Sequence, residues 1–559
     1  VEIDPTNPNN VYGGTAAAEL VAASPRYSLA AIQQQNGLAS QPAVKIAIKQ
    51  EGWYRIAQAD LAAAGLAANA DPLKLQLFAD GQELPIKVVT DAGGKLSAIE
   101  FYGMGLDTAV TNTRVYWLVT GTQAGRRIAV VTGKGVGFGA TSFAYTMERK
   151  DRTIYFPGLR NGDTENFFGA VIAREPVDQT LTLQRLNKVT PTSAQLDIAL
   201  QGVTQQAHQV KVLLNGVDVG SVNFGGQARG TASLPVAHSR LNEGENVVRL
   251  VAQAGETDVS LVETVRITYQ YTYTAESNAL RLPATAGQEL TIAGFTSNDI
   301  QVMNITNPDA LQEVATVVKA QKGGYAVTAT APGAGQRTLL ALTGARARQV
   351  LSARANQPSN WRQPSNGANL LIITHQDFAA STDSLKALRQ SQGLSVAVIK
   401  IEDLFDEFSF GQKTPQAIKD FLAYAKGSWK KAPQYAVLVG DASYDPKNYL
   451  GFGDTDYVPT RLIDTQYLET ASDDWLADFG STGIAEIALG RLPVRTAQEA
   501  TAMINKIVAY DSAARSESVL LVADRNEGFN FESTNTLLRN LIPADLKVEE
   551  VDRNGLDDN

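Results

Sequence analysis

Leu370-Leu371-Ile372-Ile373-Thr374-His375 is the stretch on which the fold turns. Four aliphatic residues in a row, ended by a polar pair, leave no solvent-facing alternate position, which is the pattern of a strand buried on both faces of a parallel sheet. The neighbouring text follows the same grammar. Ser381 or Thr382 is placed to cap an amphipathic helix through Leu385 and Leu388 that stops at Gly393. Val396-Ala397-Val398-Ile399 is the next strand. Thr414-Pro415 opens a second helix, with proline where a missing N–H costs nothing, and Ile418, Phe421 and Leu422 fall on one face. Ala436-Val437-Leu438-Val439 and Ile487-Ala488-Leu489 are two more strands. Thr496-Ala497-Gln498-Glu499 is a capping box before a helix carrying Met503, Ile504 and Ile507. Alternating buried strands and amphipathic helices predict an α/β domain with a mostly parallel sheet over 361–516. Val519-Leu520-Leu521-Val522 starts a second α/β subdomain, 517–559, that is incomplete at its C-terminus.

Toward the amino terminus the hydrophobic period shortens to two. Val44-Lys45-Ile46-Ala47-Ile48 alternates, and Leu75-Gln76-Leu77-Phe78 faces Leu84-Pro85-Ile86-Lys87-Val88 across the turn Asp80-Gly81, predicting a small β-hairpin domain over 41–132 with one short helix near 57–64. Residues 133–275 read as an antiparallel β-sandwich, with strands such as 210–214 and 217–222 joined by Asn215-Gly216. A packing or spacer role is the expectation for it, since no platform of exposed aromatic residues is apparent for glycan. Residues 276–360 form a β-rich bridging segment, and 1–40, which mix Pro5, Pro8, Gly13 and Gly14 with an Ala-rich stretch, read as a linker or the tail of an upstream domain.

The 559 residues carry 49 Lys+Arg against 58 Asp+Glu, a net charge of -9, which withholds the basic surface that nucleic acid requires. At roughly 150 residues per domain several domains are expected. There is no run of the roughly 18–20 apolar residues that a membrane-spanning helix needs. Zero Cys excludes disulfides and any cysteine nucleophile within these residues. The chain starts at Val1 and stops at Asn559 within an α/β unit, so both ends are expected to be cut and export cannot be judged from a leader.

In open α/β sheets ligands sit outside the carboxyl ends of the strands. The loops there hold Thr374-His375-Gln376-Asp377, Gly440-Asp441-Ala442-Ser443-Tyr444-Asp445 and Ser472-Asp473-Asp474-Trp475. His375 can be drawn as a general base with Asp441 to orient it, or as a loop hydrogen-bonding group. Ser443 can be drawn as a nucleophile, although the G-x-S-x-G elbow is absent. Asp441, Asp445, Asp454, Asp456, Asp473, Asp474 and Asp478 are oxygen donors of the kind Ca²⁺ takes, or solvated turn residues and caps; none has EF-hand spacing. Asp552-Arg553-Asn554-Gly555 faintly suggests a calcium loop.

Taken in order, Leu371-Ile372-Ile373-Thr374-His375, Glu407-Phe408-Ser409-Phe410-Gly411, Pro415-Gln416-Ala417-Ile418-Lys419-Asp420-Phe421-Leu422, Leu438-Val439-Gly440-Asp441-Ala442-Ser443-Tyr444-Asp445, Asp456-Tyr457-Val458-Pro459-Thr460, Ser472-Asp473-Asp474 and Ile487-Ala488-Leu489-Gly490-Arg491-Leu492-Pro493 resemble the gingipain family of secreted bacterial cysteine peptidases over about residues 365–559. The resemblance implies a caspase-like fold of two side-by-side α/β subdomains, peptide and protein substrates, and an extracellular or cell-surface location, with attachment through regions outside this chain. Ca²⁺ is the one cofactor it raises, with no ligands matched. It implies a catalytic His and Cys in the second subdomain; with no Cys here and no His after His375, both are expected beyond Asn559, leaving this chain inactive. The acidic residue of the Ser-Asp motif, here Asp473, is implied to line the substrate pocket and to offer a carboxylate to a basic side chain. His375, Asp441, Asp445 and Asp474 are expected to support the loops around it. The competing expectation is a non-catalytic cell-surface binding or adhesion protein that uses the α/β domain as a scaffold.

Overall fold

The computed structural model describes residues 27–135, 137, 139–189, 193–513 and 517–553. Residues 1–26 of the expected linker, and Asn554 and Gly555 of the faint calcium pattern, lie outside the described residues. The rest of the expected linker is not one: Leu29–Ala39 is a helix, capped by Ser28 Oγ on the Ala31 N–H, with Leu38 and Ala39 fully buried. Its many Ala and Gln residues mask the apolar face, which is why periodicity misses it.

The chain is multidomain and strongly β-rich. A five-stranded sheet, ordered Ser352–Ala355, Val44–Ile48, Arg114–Thr120, Leu75–Ala79, Gln82–Leu84, packs against a three-stranded one of Gly52–Ala57, Leu96–Gly103 and Lys87–Thr90. Ile46, Leu77, Phe101 and Leu118 fill the space between. Asp80 and Gly81 have φ of 50° and 74°, as the expected tight turn requires. The hairpin is shorter than expected, however: Leu77 pairs with Leu84, and after Pro85, Lys87–Thr90 crosses to the other sheet. Proline has no N–H for the ladder, so pairing ends before it.

Next comes a sandwich whose sheets include Ser193–Gly202, Arg229–Ala237 and Ser260–Thr272 on one side and Val177–Leu183, Gly244–Ala252, Ala207–Leu214 and Val217–Gly225 on the other. Asn215-Gly216 makes the expected turn, with φ of 50° and 82°. Sheets cross the limits drawn from sequence: Ala129–Val131 pairs in parallel with Gln312–Val314, and Ser352–Ala355 extends the first sheet. Short strands contributed from far along the chain leave no local signal.

The carboxy-terminal part holds a four-stranded, all-parallel sheet in the order Val396–Lys400, Leu370–Thr374, Tyr435–Val439, Ala488–Leu492. Every residue of Leu370–Thr374 is buried, as its aliphatic run demands. Ile401–Phe408 and Pro415–Ser428 pack on one face, Asp383–Ser391 and Ala497–Ser512 on the other. Thr414 and Thr496 cap the helices that follow them. Thr382 stands at the N-cap of the helix after it, as expected, but makes no side-chain cap: it ends a 3-10 turn, Gln376–Thr382, and its Oγ1 donates to Ala379 O. Ser518–Ala523 and Lys547–Asp552 form a separate two-stranded parallel pair flanked by the helix Phe531–Arg539, with Leu520, Val522, Leu537 and Leu541 exposed. None of the helices described is long and apolar enough to cross a membrane.

The β-rich and α/β parts are tied by buried contacts. Lys45 Nζ lies 2.5 Å from Asp406 Oδ2, Gln35 donates to Asp406 O at 2.7 Å, and the Trp117 indole donates to Phe410 O at 3.0 Å.

Candidate functional site

The carboxyl ends of the parallel strands converge on one residue that sequence reasoning left without a role. Arg491, near the end of Ala488–Leu492, sends Nη1 to Gly440 O (2.8 Å) and Val458 O (2.6 Å), while Nε and Nη2 each reach a carboxylate oxygen of Asp473 at 2.7 Å. It thus staples three loops: the one after Tyr435–Val439, the return at 456–460, and the end of the hairpin Arg461–Asp464/Glu469–Ser472. Thr460 Oγ1 donates to Asp473 Oδ1 at 2.8 Å. Burial alone would raise the Asp473 carboxyl, but its bonds to Arg491 and Thr460 outweigh that and hold it below its ordinary value. Both oxygens of Asp473 are therefore committed inside the protein. An arginine near the carboxyl end of a parallel strand was the available signal, because a guanidinium turned into the loops there must find several acceptors.

The loop after Tyr435–Val439 is shaped by Gly440, whose φ is +147°; a Cβ there would stand 2.8 Å from Val458 Cγ2. Asp441 is not the partner of His375. Its Oδ2 takes Arg495 Nε at 2.7 Å and its Oδ1 takes the Ala442 N–H. His375 Nε2 instead lies 3.1 Å from Glu402 Oε1, its Nδ1 accepts from the Asp377 N–H, and its ring meets Tyr457 edge-on. It holds the 3-10 turn in place, the loop-bonding role, and Glu402 is the partner missed. Ser443 Oγ accepts from the Asp445 N–H, and the Ser443 N–H bonds Asp456 Oδ1, so the hydroxyl is employed in the turn.

The acidic residues are divided among separate duties. Buried Asp445 accepts from the N–H groups of Tyr449 and Leu450. Asp478 accepts from those of Thr482 and Gly483, which hold its carboxyl below the ordinary value. Asp456 pairs with Lys413 at 2.9 Å, with Asp454 more distant at 3.8 Å. Asp474 is exposed in the first turn of Asp474–Ala477. Among the described residues no three His, Asp or Glu side chains gather as a metal site.

A segment of the β-rich part, 151–169, lies against these loops. The Tyr155 ring stacks on Tyr444 at 4.8 Å, and its hydroxyl donates to Glu469 Oε2 at 2.6 Å. Pro157 O accepts the Glu469 N–H, and the Gly162 N–H reaches Asp464 Oδ2, each at 2.8 Å. Asp163 pairs with Arg461. Lys447, whose side chain is 1% exposed, is surrounded by Asp107, Glu165 and Thr108 O. Burial would lower this ammonium; its hydrogen bond to Glu165 keeps it raised instead.

Residues 363–554, about a third of the chain, match the model of peptidase family C25. The whole chain is similar in fold to the crystal structure of dimeric latent PorU from Porphyromonas gingivalis, at 17% identity and a TM-score of 0.61. That alignment covers 91% of this chain but only 56% of PorU, so the chain spans a little over half the length of that protein. The CBM36-1 domain of a multidomain xylanase from the hindgut metagenome of Trinervitermes trinervoides aligns with 22% of this chain and 96% of its own, at 12% identity; its TM-score of 0.17 carries no argument. No curated protein matches the chain.

Proposed function

We propose that residues 361–553 are the first part of a caspase-like C25 catalytic unit, in an exported bacterial endopeptidase that hydrolyses peptide bonds in proteins. The thiolate and imidazole of the reaction would then come from sequence following residue 559, because the 559 residues contain no Cys and their last His, His375, is engaged by Glu402. The observation that carries the reading is the C25 match at 363–554, laid on a parallel sheet whose carboxyl-end loops are fixed by Arg491. The apolar surface left open on the Ser518–Ala523 unit supports a continuation of the sheet over it.

In such chemistry the nucleophile attacks the scissile carbonyl, a base takes up its proton, and N–H groups hold the oxyanion. This part of the chain would contribute the pocket. Asp473 remains the pocket residue of the reading, but its committed oxygens favour an uncharged guest over the basic one suggested by a free carboxylate. The test compares the 559-residue protein with the product of the uninterrupted gene on a fluorogenic peptide library. The longer protein is expected to cleave and to be silenced by iodoacetamide, and the shorter to be inert. Iodoacetamide-resistant cleavage by the 559-residue protein overturns the proposal.

A further inference from the structure

The cleft between segment 151–169 and the loops after the parallel strands is built from two parts of the chain. Tyr155 and Phe167 line one side, and Tyr444, Pro459, Thr460 and Leu462 the other. It stands at the carboxyl ends of the strands, where an open α/β sheet receives its ligands.

Every charged group in its wall is already engaged. Asp163 pairs with Arg461, Glu165 with Arg152 and Lys447, and Asp456 with Lys413, while Glu469 takes the Tyr155 hydroxyl. A charged guest would lose its water and find only Glu469 without an ion partner, its carboxyl already bonded to Tyr155 and raised by burial, whereas an apolar one meets aromatic faces. Thr460 joins the cleft to Asp473 by the hydrogen bond between them, and Asp473 is itself saturated by Arg491. Outside, Tyr467 and Leu468 are exposed in the turn that precedes Glu469, extending the apolar surface along which an extended chain can lie.

We propose that this cleft is a composite side-chain pocket that takes an uncharged, apolar or aromatic residue of a polypeptide, with the β-rich part supplying one wall. The proposal deepens the peptidase reading and rests on it for the choice of a polypeptide as guest.

The test needs no turnover. The 559-residue protein is irradiated with the tetrapeptide amide acetyl-Gly-Ala-benzoylphenylalanyl-Gly, and the labelled positions are mapped by mass spectrometry. Label is expected on tryptic peptides containing Tyr155 or Tyr444. The Phe analogue should compete about tenfold better than the Lys analogue, the order of discrimination that a hydrophobic pocket gives. Tyr444→Ala, which removes a half-exposed ring, should cut labelling about fivefold. Tyr155→Ala, which also loosens the segment, should do the same, and circular dichroism of both variants reports whether they fold. Label elsewhere, equal competition by the Lys peptide, or full labelling of a folded Tyr444→Ala protein overturns the pocket. If the longer protein hydrolyses peptides while label misses the cleft, the pocket alone fails. If it hydrolyses none while labelling follows the expected pattern, the pocket stands and the peptidase reading fails.

Discussion

Replacing Lys45 by Met removes the cation from a carboxylate that has no other cation bonded to it. Lys45 and Asp406, with side chains 10% and 5% exposed, join the strand Val44–Ile48 to the helix Ile401–Phe408. Taking one partner from a pair so buried costs about 3–5 kcal/mol, because the remaining charge has neither water nor counter-ion. Asp406 already registers its surroundings: burial, opposed by Lys45, pushes its carboxyl up to about 6. A carboxyl whose value is higher folded than unfolded binds more protons in the folded state. Its contribution to stability is therefore greatest in acid and declines as pH rises from 3.8 to about 6. Without Lys45 that window extends upward, so the deficit of the variant should shrink by about 1 kcal/mol per pH unit on acidification from neutrality. Thermal melting followed by tryptophan emission reads this directly, since Trp117 lies on the same seam. At roughly 2–4 °C per kcal/mol for a cooperative unit of about 150–250 residues, the midpoint at about pH 7.5 should fall by roughly 6–20 °C, and by less at about pH 5.5. Lys45→Met combined with Asp406→Leu should recover most of the loss, because both charges are then gone. A single variant that melts within about 1 °C of the parent, or whose deficit is the same at both pH values, refutes the reasoning.

Asp473→Ala should cost about 2–3 kcal/mol by leaving the Arg491 guanidinium without its carboxylate. Because the Asp473 carboxyl is depressed, its contribution is present above the ordinary carboxylate value and lost as pH falls through the depressed one, so melts of variant and parent should converge in acid. Gly440→Ala should cost about 1–3 kcal/mol in a urea titration, since it combines a φ of +147° with a 2.8 Å approach to Val458; unchanged stability would show that the loop can shift. In the sandwich, fully buried His208 puts Nδ1 2.6 Å from Asp258 Oδ1 and Nε2 near the carbonyl oxygens of Thr204 and Gly226. Asp258→Ala should cost about 3–5 kcal/mol and speed amide exchange along Ala207–Leu214; unaltered protection there would contradict it.

What could be read in the sequence was what local pattern encodes. The run 370–373 announces a strand buried on both faces, Thr414-Pro415 and Thr496 announce helix starts, and Asn215-Gly216 and Asp80-Gly81 announce turns, because each rests on sterics or hydrogen bonds within a few residues. The helix Leu29–Ala39 stayed hidden because alanine and glutamine give little amphipathic contrast. The candidate site was legible as a set of loops but not as a set of partners. Asp441 and His375 sit in neighbouring loops, yet each is satisfied closer to hand, by Arg495 and by Glu402. Tyr155 and Glu469 are 314 positions apart, and no periodicity relates them.

These long-range partners bear on what the β-rich parts are for. A spacer could be cut away with little effect on the domain it precedes. Removing the β-rich parts here would strip the counter-ion from Asp406 and both carboxylates from Lys447, whose side chains are 5% and 1% exposed. It would also take Tyr155 from Glu469, a carboxyl already raised by burial, on the hairpin that ends beside Asp473. Each loss takes a bonded partner from a side chain and opens the surface that partner covered to water, so the loops lose the contacts that fix their shape. The carboxyl-end loops of the α/β domain thus depend for their shape on residues more than 280 positions upstream, such as Glu165 on Lys447. The β-rich parts are walls and braces of the candidate site, and an α/β domain expressed from residue 361 alone should lose the hairpin carrying Asp473 before it loses its sheet.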